Sequence, residues 1–274
     1  MEPVRNKTYK RVMTIAGSDP SGGAGVQADI KTISACGCFA TSAIVAVVDE
    51  NTVGVTGVFP IPADFVVGQI HSILDDIGTD AVKIGMLHSS ELIHAVRNVL
   101  DEYPAVRDIV LDPVMVATSG DPLLQADAVA TLRDVLIPRA RVITPNIPEA
   151  ELLLGRKISS REELPLAARE LASLGASVLL KAGHLTDDEL TDIFCNAETG
   201  EILELRSRRV ATPNTHGTGC TLSSAFASYL ALGHSLDDAA RLAKDYIASA
   251  IAAGASYAIG HGHGPVHHFH PFWS

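Results

Sequence analysis

Short, continuous apolar runs recur along the chain: VMTIAG at 12–17, AIVAVV at 43–48, AVKIGM at 81–86, DIVLDPV at 108–114, RVITPN at 141–146 and SVLLKAG at 177–183. Between them, apolar residues fall at helical spacing: Phe65, Ile70, Ile73 and Leu74; Leu92, Ala95, Val96 and Val99; Leu164, Ala167, Leu171 and Leu174. Strands with no polar face must be covered on both sides, so the alternation predicts a mostly parallel sheet between two layers of helices. From residue 189 the pattern changes to two strand-like runs around Glu198-Thr199-Gly200, which predicts an antiparallel hairpin at a sheet edge. Two helices are expected near 218–231 and 236–253, followed by a tail rich in Gly and His from Gly260.

Composition narrows the function classes. Among 274 residues, 47% are hydrophobic and 19% charged, enough apolar material for one large α/β domain over 1–274 and too little polarity for disorder. A formal net charge of −11, with no run of Lys or Arg, argues against nucleic acid as a partner but leaves a small anionic ligand open. Cys36, Cys38, Cys195 and Cys220 form no CxxC pair, which predicts free thiols in a reducing compartment. The N-terminal apolar stretch is too short for a signal peptide or membrane span, so the expectation is a cytoplasmic protein without a membrane partner.

In an open parallel sheet, ligands bind beyond the carboxyl ends of the strands, and there the chain keeps its unusual residues. GSDPSGGAG at 17–25 is a glycine-rich loop, though not of dinucleotide-binding spacing. Asp112, Asn146 and Glu149 gather carboxylates and an amide that suit Mg²⁺, while Glu149 can equally cap a helix. Lys181 ends an apolar strand, as a phosphate-binding charge or a solvated terminus, and Lys244 reads most simply as a solvent-facing helix residue. In NTHGTGCTLSSA at 214–225, Gly217-Thr218-Gly219 opens a helix whose amides suit an anion. Cys220 there, with its pKa lowered at a helix N-terminus and His216 upstream, is either a nucleophile or a group facing the acceptor in phosphoryl transfer.

Taken in order, TIAGSDPSGGAGVQADIKT, KIGML, LDPVM, SGDPLL, TPNIPEAELL, NTHGTGCTLSSA and GHGHGPVHHF resemble the hydroxymethylpyrimidine (phosphate) kinases of thiamine biosynthesis, in the ribokinase superfamily, over nearly the whole chain. The resemblance implies a three-layer α/β/α ribokinase-like fold and a homodimer. It implies MgATP-dependent phosphorylation of 4-amino-5-hydroxymethyl-2-methylpyrimidine and then of its monophosphate. It puts Gly17, Ala24, Asp29, Val48, Met86 and Val114 around the ring, and Lys181, Thr212, His216 and Lys244 on the ATP side. Asp112, Asn146 and Glu149 fall in the metal region. Gly217, Thr218, Gly219 and Cys220 form the catalytic anion hole, with Cys220 as base or as positioner of the hydroxyl.

One position departs from that family. VVDENT at 47–52 sets Glu50 where a glutamine commonly meets the pyrimidine, and an ionised glutamate only accepts hydrogen bonds. Glu50 either takes the 4-amino group or marks another ring, which makes a pyridoxal kinase the alternative. A cysteine hydrolase and a silent nucleotide sensor are the other classes, separable by thiol-ester turnover without ATP and by ATP binding without turnover.

Overall fold

The computed structural model describes residues 7–115, 128–183 and 189–273; the SGDPLL stretch at 119–124 lies outside them. The sheet begins with β1 (Arg11–Ala16), the helix α1 (Gly25–Ala35) and β2 (Phe39–Ile44), and β2 lies parallel to β1. The chain then makes a separate antiparallel pair, β3 (Ala46–Asn51) and β4 (Gly54–Pro60). Next come α2 (Ala63–Asp76), β5 (Ala81–Ile84), α3 (Ser90–Asp101) and β6 (Ile109–Leu111). A short α4 (Ala128–Thr131) leads to β7 (Val142–Ile143), α5 (Ile147–Leu154), α6 (Leu164–Ala172) and β8 (Ser177–Leu180). The predicted edge hairpin is β9 (Glu189–Cys195) and β10 (Ile202–Arg208), and α7 (Thr218–Ala231) and α8 (Leu236–Gly254) follow it.

The large sheet runs β10-β9-β8-β7-β6-β5-β1-β2, parallel from β2 to β8 and antiparallel at β9 and β10. Alternate residues of each buried strand feed opposite layers, as the two-residue period requires. Met13, Ile15, Ile109, Leu111 and Ile143 join the core under α2, α3, α5 and α6, whereas Val12, Val110 and Val142 join the core under α1, α7 and α8. The architecture is thus the expected three-layer α/β/α arrangement. Strand order reverses at β1, with β2 on one side and β5 on the other, so the crevice opens above that neighbourhood.

The run AIVAVV is not one strand. β2 stops at Ile44, the Val45 N–H bonds the Ala16 carbonyl, and Ala46 starts β3, which pairs only with β4. Ala46 and Val48 are buried while Val47 and Asp49 are exposed, the pattern of a half-covered strand rather than a doubly covered one. The register shifts between Asp49 and Glu50, a bulge that re-aims the residues of the hairpin tip.

Candidate functional site

A cavity of about 670 Å³ spans the carboxyl ends of the strands. Its centre is the N-terminus of α7, a helix so deeply set against the sheet that Thr221, Ser223, Ser224 and Ser228 are all buried. Its small residues allow that approach. Ser223 and Ser228 each satisfy their hydroxyls on carbonyls one turn back, at Gly219 and Ser224. Gly217 begins the turn at φ +76°, and a Cβ there would lie 1.7 Å from the Gly23 carbonyl oxygen, so only glycine fits. The Thr218 N–H turns back to the Thr215 carbonyl at 3.3 Å. The Gly219 and Cys220 N–H groups have no acceptor among the described residues and remain as the first-turn donors.

Against this helix end lies a charged group from three strand ends. Asp112 Oδ1, just after β6, accepts from Lys181 Nζ at 3.1 Å and from the Thr144 hydroxyl at 3.1 Å. A Cβ on Gly219 would meet Asp112 Oδ2 at 3.1 Å and Lys181 Nζ at 3.3 Å, so the bare backbone is what lets the ion pair reach the helix terminus. Burial works against the charge on Lys181, but Asp112 and Glu149 outweigh it and hold its pKa above the ordinary lysine value. Glu149 is also raised above its usual range, mainly by burial and further by Asp112, with Lys181 opposing. Glu149 and Asn146 also form a complete capping box at the start of α5, so capping and line-of-cavity placement coexist in the same carboxylate. Among the described residues no three His, Cys, Asp or Glu are placed to hold a metal ion by themselves. Asp112 and Glu149 are nonetheless a pair of hard oxygen donors beside a lysine, the kind of set that holds Mg²⁺ jointly with phosphates rather than in a protein cage.

Cys220 lines the cavity, and burial pushes its thiol up to about 11, with Lys83 pulling down and Asp29 and Asp112 adding to the rise. The expected lowering by the helix terminus is overridden because desolvation of a thiolate exceeds the dipole's stabilisation. Beneath it, Lys83 Nζ bonds both oxygens of Asp29 at 2.9 and 2.8 Å, and Asp29 also accepts from Thr14 and Ser224. Asp29 is fully buried in this pair and does not line the cavity, unlike the other residues expected around the ring. Gly17, Ala24, Val48, Glu50, Met86 and Val114 all line it. Val114 sits at φ +38°, a costly conformation for a β-branched side chain.

On the same wing, the glycine-rich loop wraps its own carboxylate. Asp19 accepts from the amides of Ser21, Gly23 and Ala24 at 2.7, 3.0 and 2.6 Å, so those donors are not free for a phosphate. His216 Nε2 lies 2.9 Å from Asp19 Oδ2 and 3.9 Å from Glu50 Oε1. Burial alone would raise the Asp19 pKa, but bonds from His216, Ser21 and Ala24 hold it well below the usual carboxylate range. Glu50 moves up, through burial and the neighbouring Asp19. His216, expected beside ATP, stands against Asp19 and Glu50 and lines the same cavity as Gly17, Val48 and Met86.

The opposite wing is lined by Leu152, Leu190, Val210, Ile247, Ala248 and Ile251 together with Ser207, Arg208 and Arg209, a slot of aliphatic and cationic side chains. Lys244 lines it too, but buried rather than solvated, with Nζ 2.7 Å from Asp192 Oδ2. Thr212 is away from the cavity wall and accepts from the Asn214 amide. Asp19, Lys83 and Asp192 were not singled out from the sequence. Lys83 and Asp192 each interrupt an apolar strand, and a charge in a doubly covered strand is a signal of a buried partner. Asp19 had no such signal, since an aspartate in a glycine loop reads as a turn residue.

Known proteins share this chain's sequence and fold. Residues 19–267 match the family model described as phosphomethylpyrimidine kinase. A hydroxymethylpyrimidine/phosphomethylpyrimidine kinase of Escherichia coli is 45% identical over 95% of this chain and 98% of its own length. The crystal structure of phosphomethylpyrimidine kinase from Clostridium difficile superposes with a TM-score of 0.77 at 41% identity, covering 87% of this chain and 97% of that one. The pyridoxal kinase of Staphylococcus aureus in complex with ADP gives a TM-score of 0.88 at 35% identity, covering 97% and 96%. On the family match, the end-to-end identity and the shared fold around this cavity, the chain belongs to the phosphomethylpyrimidine kinase family.

Proposed function

We propose that this kinase transfers the γ-phosphoryl group of ATP to the hydroxymethyl group of 4-amino-5-hydroxymethyl-2-methylpyrimidine, and then to the resulting monophosphate, in thiamine biosynthesis. The observation that carries the reading is the placement of the α7 N-terminus between two different wings. The Lys181–Asp112 pair and a slot of aliphatic and arginine side chains lie on one side, and Gly17, Val48 and Met86 on the other. A phosphoryl group passing between them would meet the Gly219 and Cys220 amides, donors fixed before the reaction begins. Lys181 supplies a cation for the transferred charge, and Lys244, held by Asp192, one for the nucleotide phosphates. Asp112 and Glu149 would hold Mg²⁺, which neutralises phosphate charge when bound.

Phosphoryl transfer depends on positioning and charge neutralisation more than on a strong base. With its thiol at about 11, Cys220 is protonated at neutral pH in the free enzyme, which suits a hydrogen-bonding partner of the acceptor hydroxyl better than a ready nucleophile. The same value weighs against a cysteine hydrolase, although His216 does find in Asp19 the carboxylate partner that the sequence did not reveal. Met86 and Val48, both beside Gly17, give a flat ring an apolar surface to pack on, and Glu50 lines the same cavity. We further propose one kinase domain over 1–274 acting in the cytoplasm. Among the described residues no helix is long and apolar enough to cross a membrane. A homodimer is supported by the exposed cross-strand pair Val47 and Phe59 on the β3–β4 hairpin.

The test is MgATP-dependent turnover of the pyrimidine, its monophosphate and pyridoxal side by side, with products identified by mass. Dominance of both pyrimidine steps supports the assignment. Dominance of pyridoxal overturns it in favour of the vitamin B6 reading, which Glu50 and the likeness to a pyridoxal kinase keep open.

A further inference from the structure

Two loops meet at the acceptor side of the cavity, and a single carboxylate joins them. Asp19 is 1% exposed and takes hydrogen bonds from three amides of its own loop, which carries the ring-lining Gly17 and Ala24. The Asp19 N–H is itself held by the Gln27 side chain at 2.8 Å, so the carboxylate's position is fixed from both sides. His216 then reaches Asp19 Oδ2 from the residue immediately before the Gly217 turn. Because an ionised carboxylate only accepts, His216 Nε2 carries the proton and donates. Its backbone N–H is anchored on the Gly264 carbonyl at 3.0 Å. Where the two loops touch there is no slack: Gly217 faces the Gly23 carbonyl, and a Cβ on Gly23 would lie 2.3 Å from the His216 ring.

We propose that Asp19 and His216 are a positioning pair which fixes the Gly219 and Cys220 amides relative to the ring pocket, rather than contacts to the nucleotide. The inference deepens the kinase reading and rests on it for what those amides do. The Ser21 hydroxyl, itself bonded to Asp19, stands 3.4 Å from the same His216 Nε2, and a buried, charge-assisted hydrogen bond at such a loop junction is a rigid spacer. Displacing reacting groups by an ångström costs about 100-fold in rate. The pair therefore acts on turnover while the Lys181 and Lys244 region, on the far side of α7, is left intact.

The experiment combines kinetics with amide hydrogen exchange on the full chain for Asp19→Asn, His216→Ala, His216→Gln and the double variant Asp19→Asn/His216→Ala. The expected result is faster exchange at 21–24 and at the hydrogen-bonded amides of His216, Thr218 and Thr221 in Asp19→Asn and His216→Ala. kcat falls by about 10- to 100-fold while the ATP dissociation constant stays within about threefold. The double variant loses no more than the worse single one, as for two halves of one interaction. His216→Gln, which keeps an N–H near the position of Nε2, recovers most of the turnover. Unchanged exchange, additive losses, or weakened ATP binding with kcat retained overturns the proposal. The near-isosteric Asp19→Asn and His216→Gln carry the test if His216→Ala does not fold. If the wild-type chain phosphorylates none of the three alcohols, the kinase reading fails while the exchange measurement still decides whether the pair locks the loops.

Discussion

Gly217→Ala is the sharpest perturbation of the anion hole, because it adds one methyl group and no charge. At φ +76° an L-residue costs about 1–2 kcal/mol. The new Cβ, built 1.7 Å from the Gly23 oxygen, must also move by more than an ångström to reach an ordinary contact. The neighbour is backbone held by Asp19, so it cannot swing aside as a flexible side chain would, and overpacking of this kind adds about 1–3 kcal/mol. Together these predict a loss of about 2–5 kcal/mol, or roughly 5–20 °C in Tm for a chain of this size. The displacement falls on the turn that aims the Gly219 and Cys220 amides, so kcat should fall about 100-fold. Differential scanning fluorimetry and steady-state MgATP-dependent turnover read the two effects. The control is Gly68→Ala in the exposed middle of α2, where a Cβ meets nothing within 4 Å. It should be neutral or stabilise by about 0.5–1 kcal/mol. A Gly217→Ala protein with wild-type Tm and kcat would refute the argument that this glycine is fixed by its contact with the Gly23 carbonyl.

Cys220→Ala should lower kcat with little change in ATP affinity by calorimetry; turnover near wild type removes the thiol from the chemistry. Alkylation of Cys220 in the free enzyme should be slow at pH 7 and climb toward pH 11, since the raised pKa keeps the thiol protonated below it, and fast labelling at neutral pH would contradict the desolvated setting. Lys83→Met leaves Asp29 buried without its partner and should cost about 3–5 kcal/mol in denaturant unfolding, a loss that Asp29→Asn/Lys83→Met should largely restore. For Glu50, whose pKa is raised by burial and by Asp19, the carboxyl both donates and accepts below its pKa and only accepts above it. Glu50→Gln should therefore flatten the pH dependence of KM for the neutral aminopyrimidine and lower that KM at neutral pH; an unchanged profile removes Glu50 from the ring pocket.

Periodicity by itself determined the layers: continuous apolar strands have no face to show water, so the helices had to cover both sides, and α2, α3, α6, α7 and α8 stand close to where the spacing put them. The edge hairpin was legible because its turn residues and its change of pattern are local. The motifs at strand ends were legible as chemistry because an open parallel sheet gathers those ends, whatever their separation in the chain, and Asp112, Asn146, Glu149, Lys181 and Gly217 to Cys220 indeed line one cavity. The rest needed the fold. AIVAVV looks like one strand because hydropathy does not register a change of partner, and only the pairing splits it at Val45 between two sheets. Asp29, expected around the ring, is instead buried against Lys83, which comes from a strand 54 residues away. His216 and Asp19 are 197 residues apart, and no spacing rule links an imidazole to a turn aspartate at that distance. The Cys220 pKa moved opposite to the local expectation for the same reason. The helix dipole is written in the nearby sequence, but desolvation is set by everything packed around the thiol, and that exists only in the folded chain.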